Sequence, residues 1–281
     1  MFLALIGDPV AHSLSPAIHG AVFRELGLPL RYETYRVEKG ALDGWLPMIR
    51  AEGIDGFNVT MPHKLDIAAI IHRQHSHPAG DVSPVNTVRV EADGTLSGFS
   101  TDEGGFLLSL SELGFDTAGK RVVIAGRGGV AQSLSAALEG AGAAGVRCVS
   151  VRDAGYPGAV PGVSQKGADT ANRAAGSGRL YGELSALMPE TDLLINATPL
   201  GMSGHEWEDF SFLRLLPGDA LVYDLLYTPP VTALLREAAA LGLRTQNGLP
   251  MLICQAILSD GIYLGQALDA SALKDAVLRA L

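Results

Sequence analysis

Along the chain, short all-apolar runs alternate with longer segments in which apolar residues return every third or fourth position, the pattern of strands alternating with helices. Phe2-Leu3-Ala4-Leu5-Ile6 is apolar throughout and stops at Gly7-Asp8-Pro9, which predicts a buried first strand. Ser15-Pro16 then offers a capping hydroxyl followed by a proline in the first helical turn. Ile18, Val22, Phe23 and Leu26 share one face until Gly27 ends the segment. The cycle repeats with a helical stretch around Leu42 to Ala51, a strand from Gly56 to Thr60, and a helix after Pro62 through Ile67, Ile70 and Ile71. Near residue 86 the rhythm changes. Thr87-Val88-Arg89-Val90 and Thr95-Leu96-Ser97 flank Asp93-Gly94, a hairpin signal that predicts an antiparallel edge on a largely parallel sheet.

After Asp102 a helix is expected to run to Leu113, with either Thr101 or Asp102 as its cap and its first turn near Gly104. Strands follow at Arg121 to Ala125, Val146 to Val151, Asp192 to Asn196 and Leu221 to Leu225, and helices at Pro250 to Leu264 and Ser271 to Leu281. Residues 154–178 carry six Gly and two Pro with little apolar periodicity, so a partly mobile surface excursion is expected there.

The 281 residues suit about two domains. Thirty acidic against 21 basic residues leave a net charge of −9, and no basic run interleaved with aromatics supplies a groove for nucleic acid. No apolar stretch approaches the ~20 residues needed to span a bilayer, and the apolar N-terminus lacks the basic flank of a signal peptide. Cys148 and Cys254 lie far apart and outside any metal-ligand spacing, which fits a reducing cytoplasm. The His72-Arg73-Gln74-His75-Ser76-His77 run lacks convergent carboxylates, so it reads as a solvated loop and no metal site is expected.

Gly126-Arg127-Gly128-Gly129-Val130-Ala131 follows an all-apolar strand and opens a helix through Leu134, Ala137 and Leu138, the context in which glycines bring backbone amides to a pyrophosphate. An ordinary strand-to-helix turn also uses Gly, and the spacing is shorter than the full dinucleotide fingerprint. About 20 residues on, such an enzyme chooses between a carboxylate for a ribose hydroxyl and a cation for a 2′-phosphate. Ser150-Val151-Arg152-Asp153 offers both.

Asn58-Val59-Thr60-Met61-Pro62-His63-Lys64 ends a strand in a polar cluster, and Ser100-Thr101-Asp102 ends another. Singly, Lys64 could be a solvated lysine in a helix's first turn and Asp102 a cap. With Asn86, however, a cation, a carboxylate and an amide all fall at strand ends. Reduction of a carbonyl by hydride needs a proton donor at the oxygen, and a Lys beside an Asp can serve.

These motifs in this order resemble the shikimate dehydrogenase family, which includes the quinate/shikimate dehydrogenases. The similar stretches run over nearly the whole chain: residues 7–16, 58–64, Val85-Asn86-Thr87, Thr101-Asp102, 126–129, Asn196-Ala197-Thr198-Pro199-Leu200-Gly201-Met202 and Asn247-Gly248-Leu249-Pro250-Met251-Leu252 with Gln255. The resemblance implies an α/β chain with an N-terminal α/β substrate domain on a mostly parallel sheet and a Rossmann-like NAD(P)-binding domain. The substrate domain would span 1–101 and the dinucleotide domain 102–247, with C-terminal helices from about 248 to 281 packing back on the former. It implies reversible NADP-dependent reduction of 3-dehydroshikimate to shikimate in aromatic amino-acid biosynthesis, with NAD an alternative cofactor and a homodimer an allowed assembly.

The resemblance further implies catalysis by Lys64 and Asp102, and substrate contacts from Ser13, Ser15, Thr60, Lys64, Asn86, Asp102, Tyr227 and Gln255. It implies cofactor contacts from Gly126, Arg127, Gly128, Gly129, Val130, Arg152, Thr198, Met202, Leu225, Gly248 and Met251, although Met202 and Met251 read equally as core packing. The chain departs from the family at Ser83-Pro84, Ser100, Pro250 and the segment around Arg152. These departures leave two rivals open: an NAD-preferring quinate/shikimate dehydrogenase, and a non-catalytic dinucleotide-binding sensor.

Overall fold

The structure, a computed structural model, describes residues 1–74, 83–150 and 180–281. The expected excursion over 154–178, together with Arg152, Asp153, His75 and His77, lies outside the described residues. The chain divides into two compact units, Met1–Glu112 with Met251–Leu281, and Leu113–Pro250.

The first unit runs β1 (Phe2–Gly7), α1 (Ser15–Glu25), β2 (Arg31–Arg36), α2 (Leu42–Trp45), α3 (Pro47–Glu52), β3 (Gly56–Val59), α4 (Lys64–Gln74), β4 (Thr87–Val90), β5 (Leu96–Phe99) and α5 (Asp102–Glu112). Its sheet has the order β2-β1-β3-β4-β5, parallel across β2, β1 and β3 and antiparallel from β3 through β5. β1 lies inside the sheet and is buried on both faces, which is why its side chains are apolar. Phe2, Ala4 and Ile6 join one core with Phe57, Val59 and Ile67, while Leu3 points the other way to Phe23 and Tyr263. β2 is an edge strand of sequence Arg-Tyr-Glu-Thr-Tyr-Arg, and no apolar run announces it.

The second unit runs β6 (Arg121–Ala125), α6 (Gly129–Gly140), β7 (Gly145–Val149), α7 (described over 180–187), β8 (Leu193–Asn196), β9 (Leu221–Asp224), α8 (Ala233–Ala240) and β10 (Arg244–Gln246). Its five strands are all parallel in the order β10-β9-β8-β6-β7. Leu180, Leu184 and Met188, four residues apart, cover one sheet face with Leu234 and Ala238 against Val123, Leu194 and Val222. Two helices close the chain, α9 (Leu249–Leu264) and α10 (Ala270–Ala280). Pro250 sits in the first turn of α9, where its missing N–H leaves no helical bond unmade.

Three expected boundaries move. Ser15 is not a cap: it is the first residue of α1, preceded by Leu14 with no side-chain capping bond, because its hydroxyl is engaged with Ser13. Helix α5 begins at Asp102 rather than near Gly104, and the division between units falls after Glu112 rather than near residue 102. The physical reason is Gly105. A Cβ there would lie 2.6 Å from the backbone nitrogen of Gln255, so α5 meets α9 almost backbone to backbone and stays with the first unit.

Gly105→Ala should therefore force these helices apart and cost about 1–3 kcal/mol, the range for overpacking a tight contact. Urea unfolding monitored by circular dichroism measures this, and an unchanged midpoint would show that the contact is not tight.

Candidate active site

In the first unit the β1–α1–β2 turn leaves β1 in one direction and β3 pairs on its other side, so the loops after β1 and β3 diverge from neighbouring strand ends. They touch at Gly7, where a Cβ would come within 2.3 Å of the Thr60 methyl and 2.8 Å of the Met61 carbonyl. The first loop leads to Ser13 and Ser15 at the start of α1, and the second to Lys64 as the first residue of α4. Sheet topology alone thus delivers the serine pair, Thr60 and Lys64 to the same end of the sheet.

Lys64 Nζ donates to Asp102 Oδ2 at 2.5 Å, with both side chains about three-quarters buried at 25% and 23% exposure. Asp102 is in the first turn of α5, but its carboxylate does not cap that helix: Oδ1 accepts from Asn86 Nδ2 at 2.8 Å instead. Asn86 is locked by the sheet on both sides, its carbonyl accepting from Val59 N at 2.8 Å and its N–H donating to Phe99 O at 3.1 Å. Its side-chain oxygen accepts from Thr101 N at 2.9 Å. The amide nitrogen also lies 2.9 Å from Thr101 Oγ1 and 3.2 Å from Gln255 Oε1. Two hydrogens cannot fully serve three acceptors at once, and Gln255 Oε1, the most distant of the three, also lies 3.4 Å from Thr101 Oγ1.

Behind these groups Ser259 Oγ lies 2.7 Å from Thr87 Oγ1 and 3.0 Å from Thr101 Oγ1, and donates to the Gln255 carbonyl at 2.9 Å. Asn58 Nδ2 donates to Ser259 at 3.3 Å and to Thr87 at 3.4 Å. Thr87, Thr101 and Ser259 are partners that reading the sequence for chemistry passed over. Ser259 had only its four-residue spacing from Gln255 to signal it.

Ser13, Ser15, Thr60, Lys64, Asn86, Asp102 and Gln255 all belong to the first unit. Tyr227 belongs to the second, where it is half-buried and burial pushes its phenol above the ordinary value. Among the described residues no group of three or more His, Cys, Asp or Glu side chains gathers to hold a metal. Cys254, next to Gln255, is unsuited to nucleophilic chemistry, because burial and the neighbouring Glu112 push its thiol up to about 12.

The glycine turn lies in the second unit, at the corresponding switch of strand order between β6 and β8. Gly126 has φ +132° and a Cβ there would sit 2.9 Å from the Ala197 carbonyl, so this position requires glycine. Gly128 and Gly129 have open space where a side chain would be, and Gly128, the cap of α6, has no side chain to occupy the first amides of the helix. Exposed amides with clear space above them fit an anionic group such as a pyrophosphate. Arg127 reaches across the turn to donate from Nε to the Cys148 carbonyl at 3.0 Å.

Val130 and Met202 are exposed, and Leu225 and Met251 are half-buried. The Thr198 hydroxyl is occupied internally, donating to Asn196 Oδ1 at 2.6 Å and accepting from Leu200 N at 3.1 Å. Gly248 is buried with its N–H on the Leu226 carbonyl, and a Cβ would fall 2.0 Å from the Leu225 carbonyl oxygen. The loop after β8 is held from below by Asp224, which takes bonds from Asn196, Leu226 N and Thr232, and whose carboxyl is pushed up by burial.

A buried Lys–Asp couple in one α/β unit and an anion-ready glycine turn in an all-parallel second unit are the parts of a dinucleotide-dependent oxidoreductase. Comparison with known proteins makes this specific. Residues 5–88 match the shikimate dehydrogenase substrate binding domain. Shikimate dehydrogenase (NADP(+)) of Symbiobacterium thermophilum is 37% identical over 99% of this chain and 94% of its own length.

Among solved structures, shikimate 5-dehydrogenase of Thermus thermophilus in complex with NADP(H) and shikimate is 31% identical with a TM-score of 0.74, covering 100% of both chains. Shikimate 5-dehydrogenase of Listeria monocytogenes in complex with shikimate and NAD is 26% identical with a TM-score of 0.74, covering 98% of this chain and 95% of its own. The chain belongs to the shikimate dehydrogenase family.

Alkylation with iodoacetamide at pH 8 should leave Cys254 unmodified in the folded protein and modify it in denaturant. Peptide mass spectrometry reads this, and rapid native labelling of Cys254 would contradict its assigned burial.

Proposed function

We propose that this protein is a shikimate dehydrogenase that reduces 3-dehydroshikimate to shikimate, reversibly, with NADP. The observation that carries the reading is the Lys64–Asp102 couple braced by Asn86 in the unit that matches the substrate binding domain. Bound NADPH supplies the hydride, and the chain supplies the rest.

Lys64 holds a proton on Nζ within reach of the substrate carbonyl oxygen and gives it up as that oxygen gains charge; in the oxidative direction it takes the proton back. Asp102 orients Nζ, and because its other oxygen is tied to Asn86 the carboxylate cannot swing away. Ser13 and Ser15 hold the substrate carboxylate, while Thr60, Asn86 and Gln255 meet the ring oxygens. A site of hydroxyls and amides rejects an analogue lacking a hydroxyl, because a buried partner would then go unpaired.

In the second unit the amides of Gly126, Gly128, Gly129 and Val130, with Arg127, hold the pyrophosphate. Arg152 serves the 2′-phosphate, and Thr198, Met202, Leu225, Gly248 and Met251 line the remainder. The two free thiols support a cytoplasmic setting.

Spectrophotometric assays of shikimate and quinate, each with NADP and NAD, should give the highest kcat/KM for shikimate with NADP; faster quinate oxidation with NAD would replace this reading with its rival. Lys64→Ala should lower kcat about 10²- to 10⁴-fold while NADP affinity, read by fluorescence titration, stays unchanged. Retained turnover in that variant would remove the catalytic assignment.

A further inference from the structure

Two histidines of the first unit are wholly buried, His19 and His63, each at 0% exposure. His19 meets its burial with a carboxylate, its Nδ1 lying 2.6 Å from Asp260 Oδ1. His63, the residue before Lys64, does not. Its Nε2 lies 2.7 Å from the Val37 carbonyl, and because a carbonyl can only accept, Nε2 carries the hydrogen. Its Nδ1 is buried without a hydrogen-bond partner, with Asp66 Oδ2 3.8 Å away. An unmatched buried nitrogen costs folding energy that an apolar ring of similar size would not, so what the single bond to Val37 secures is the question.

Val37 follows β2, and its own N–H donates to the Gly7 carbonyl at the end of β1 at 3.0 Å. The loop after β3 is tied to β1 as well, Thr60 N donating to Ile6 O at 3.0 Å and Asp8 N to Met61 O at 2.8 Å. The His63 side chain closes this set: through Val37 it joins the turn that leads to Lys64 to the ends of both β1 and β2. On the backbone, His63 is the pivot between that turn and α4. Its N–H donates to Thr60 O at 3.0 Å, and its carbonyl takes the first bond of the helix, from Ile67 N at 2.9 Å. A shift of the imidazole therefore moves the start of α4, and Lys64 is the first residue of that helix. A lysine stem is flexible, so its ammonium keeps one direction only if the backbone beneath it is fixed. Asp102 cannot follow a lysine that moves, because Asn86 holds its other oxygen.

We propose that His63 is a positioning residue for the proton transfer: its Nε2–H, anchored on the Val37 carbonyl, fixes the turn from which Lys64 reaches both Asp102 and the substrate oxygen. This rests on the reading of Lys64 as the proton donor above. The imidazole touches no reacting atom and acts only through the backbone of the next residue.

Three substitutions test it. His63→Phe keeps an aromatic ring in the space and removes the N–H, His63→Gln supplies an amide N–H long enough to reach the same carbonyl, and His63→Asn offers that amide one carbon too short. In shikimate oxidation with NADP, kcat should fall about tenfold in the Phe and Asn variants, within the roughly 10²-fold that a misplacement of about 1 Å can cost, while KM stays within about threefold. His63→Gln should recover kcat to within about threefold of wild type. Trace acetylation with acetic anhydride, read at the Lys64 peptide by mass spectrometry, should run about threefold or more faster in the Phe and Asn variants than in wild type, the worth of one loosened hydrogen bond.

A merely structural role would lower the thermal midpoint of the variants while leaving kcat and Lys64 acetylation of the folded proteins as in wild type, and that result would overturn the proposal. So would a Gln variant that is no faster than the Asn variant, a comparison that holds even where His63→Phe does not fold, and so would failure of the Gln variant itself to fold. A wild type that does not oxidise shikimate would instead overturn the functional reading, and Lys64 acetylation would still decide the role of His63.

Discussion

Everything at the site turns on the two hydrogens of one amide. Asn86 is pinned by ladder bonds to β3 on one side and β5 on the other, so its side chain has little freedom to choose where it points. It points at Asp102, Thr101 and Gln255 together, groups from the start of α5 and the middle of α9. A buried cation and carboxylate must repay a large desolvation cost, and a lone ion pair does so poorly. Here each oxygen of Asp102 has a donor, one from Lys64 and one from Asn86, and that second bond makes the couple a rigid object rather than a flexible salt bridge.

The two units solve one problem twice. In each, the strand order reverses beside the first strand, and a glycine at the end of that strand lets the neighbouring loop approach closely: Gly7 against Thr60 and Met61, Gly126 against Ala197. Right-handed crossovers on a twisted parallel sheet leave a crevice at such a point. What fills the rim differs. The first unit brings side chains with hydroxyls and a cation, whereas the second leaves bare backbone amides at the start of α6.

Legibility followed burial. Strands β1, β6, β8 and β9 are covered on both faces, so nearly continuous apolar runs announced them. β2, an edge strand in which every side chain but Thr34 is charged or phenolic, gave no such signal. Lys64, Asn86 and Asp102 were visible because each falls at the start of an element, Lys64 and Asp102 in polar clusters that follow a strand. The role of Ser15 as a cap was misread, since its hydroxyl bonds to a serine two residues before it and not to the helix. Asp102 also opens a helix, where a carboxylate is ordinary, and only its bonds to Lys64 and Asn86 decide otherwise.

By itself the sequence determined the alternation of strands and helices, the glycine turn after Ala125, and the residue types able to carry proton transfer, because periodicity, proline and glycine act through local backbone sterics and burial. Only the tertiary structure decided which of those residues meet. The pairings of Lys64 with Asp102, of Gly105 with Gln255 and of His19 with Asp260 join positions 38 to 241 apart, and nothing local encodes them. They exist because strand order and helix packing bring distant segments to one place, where hydrogen-bond geometry then selects the partners.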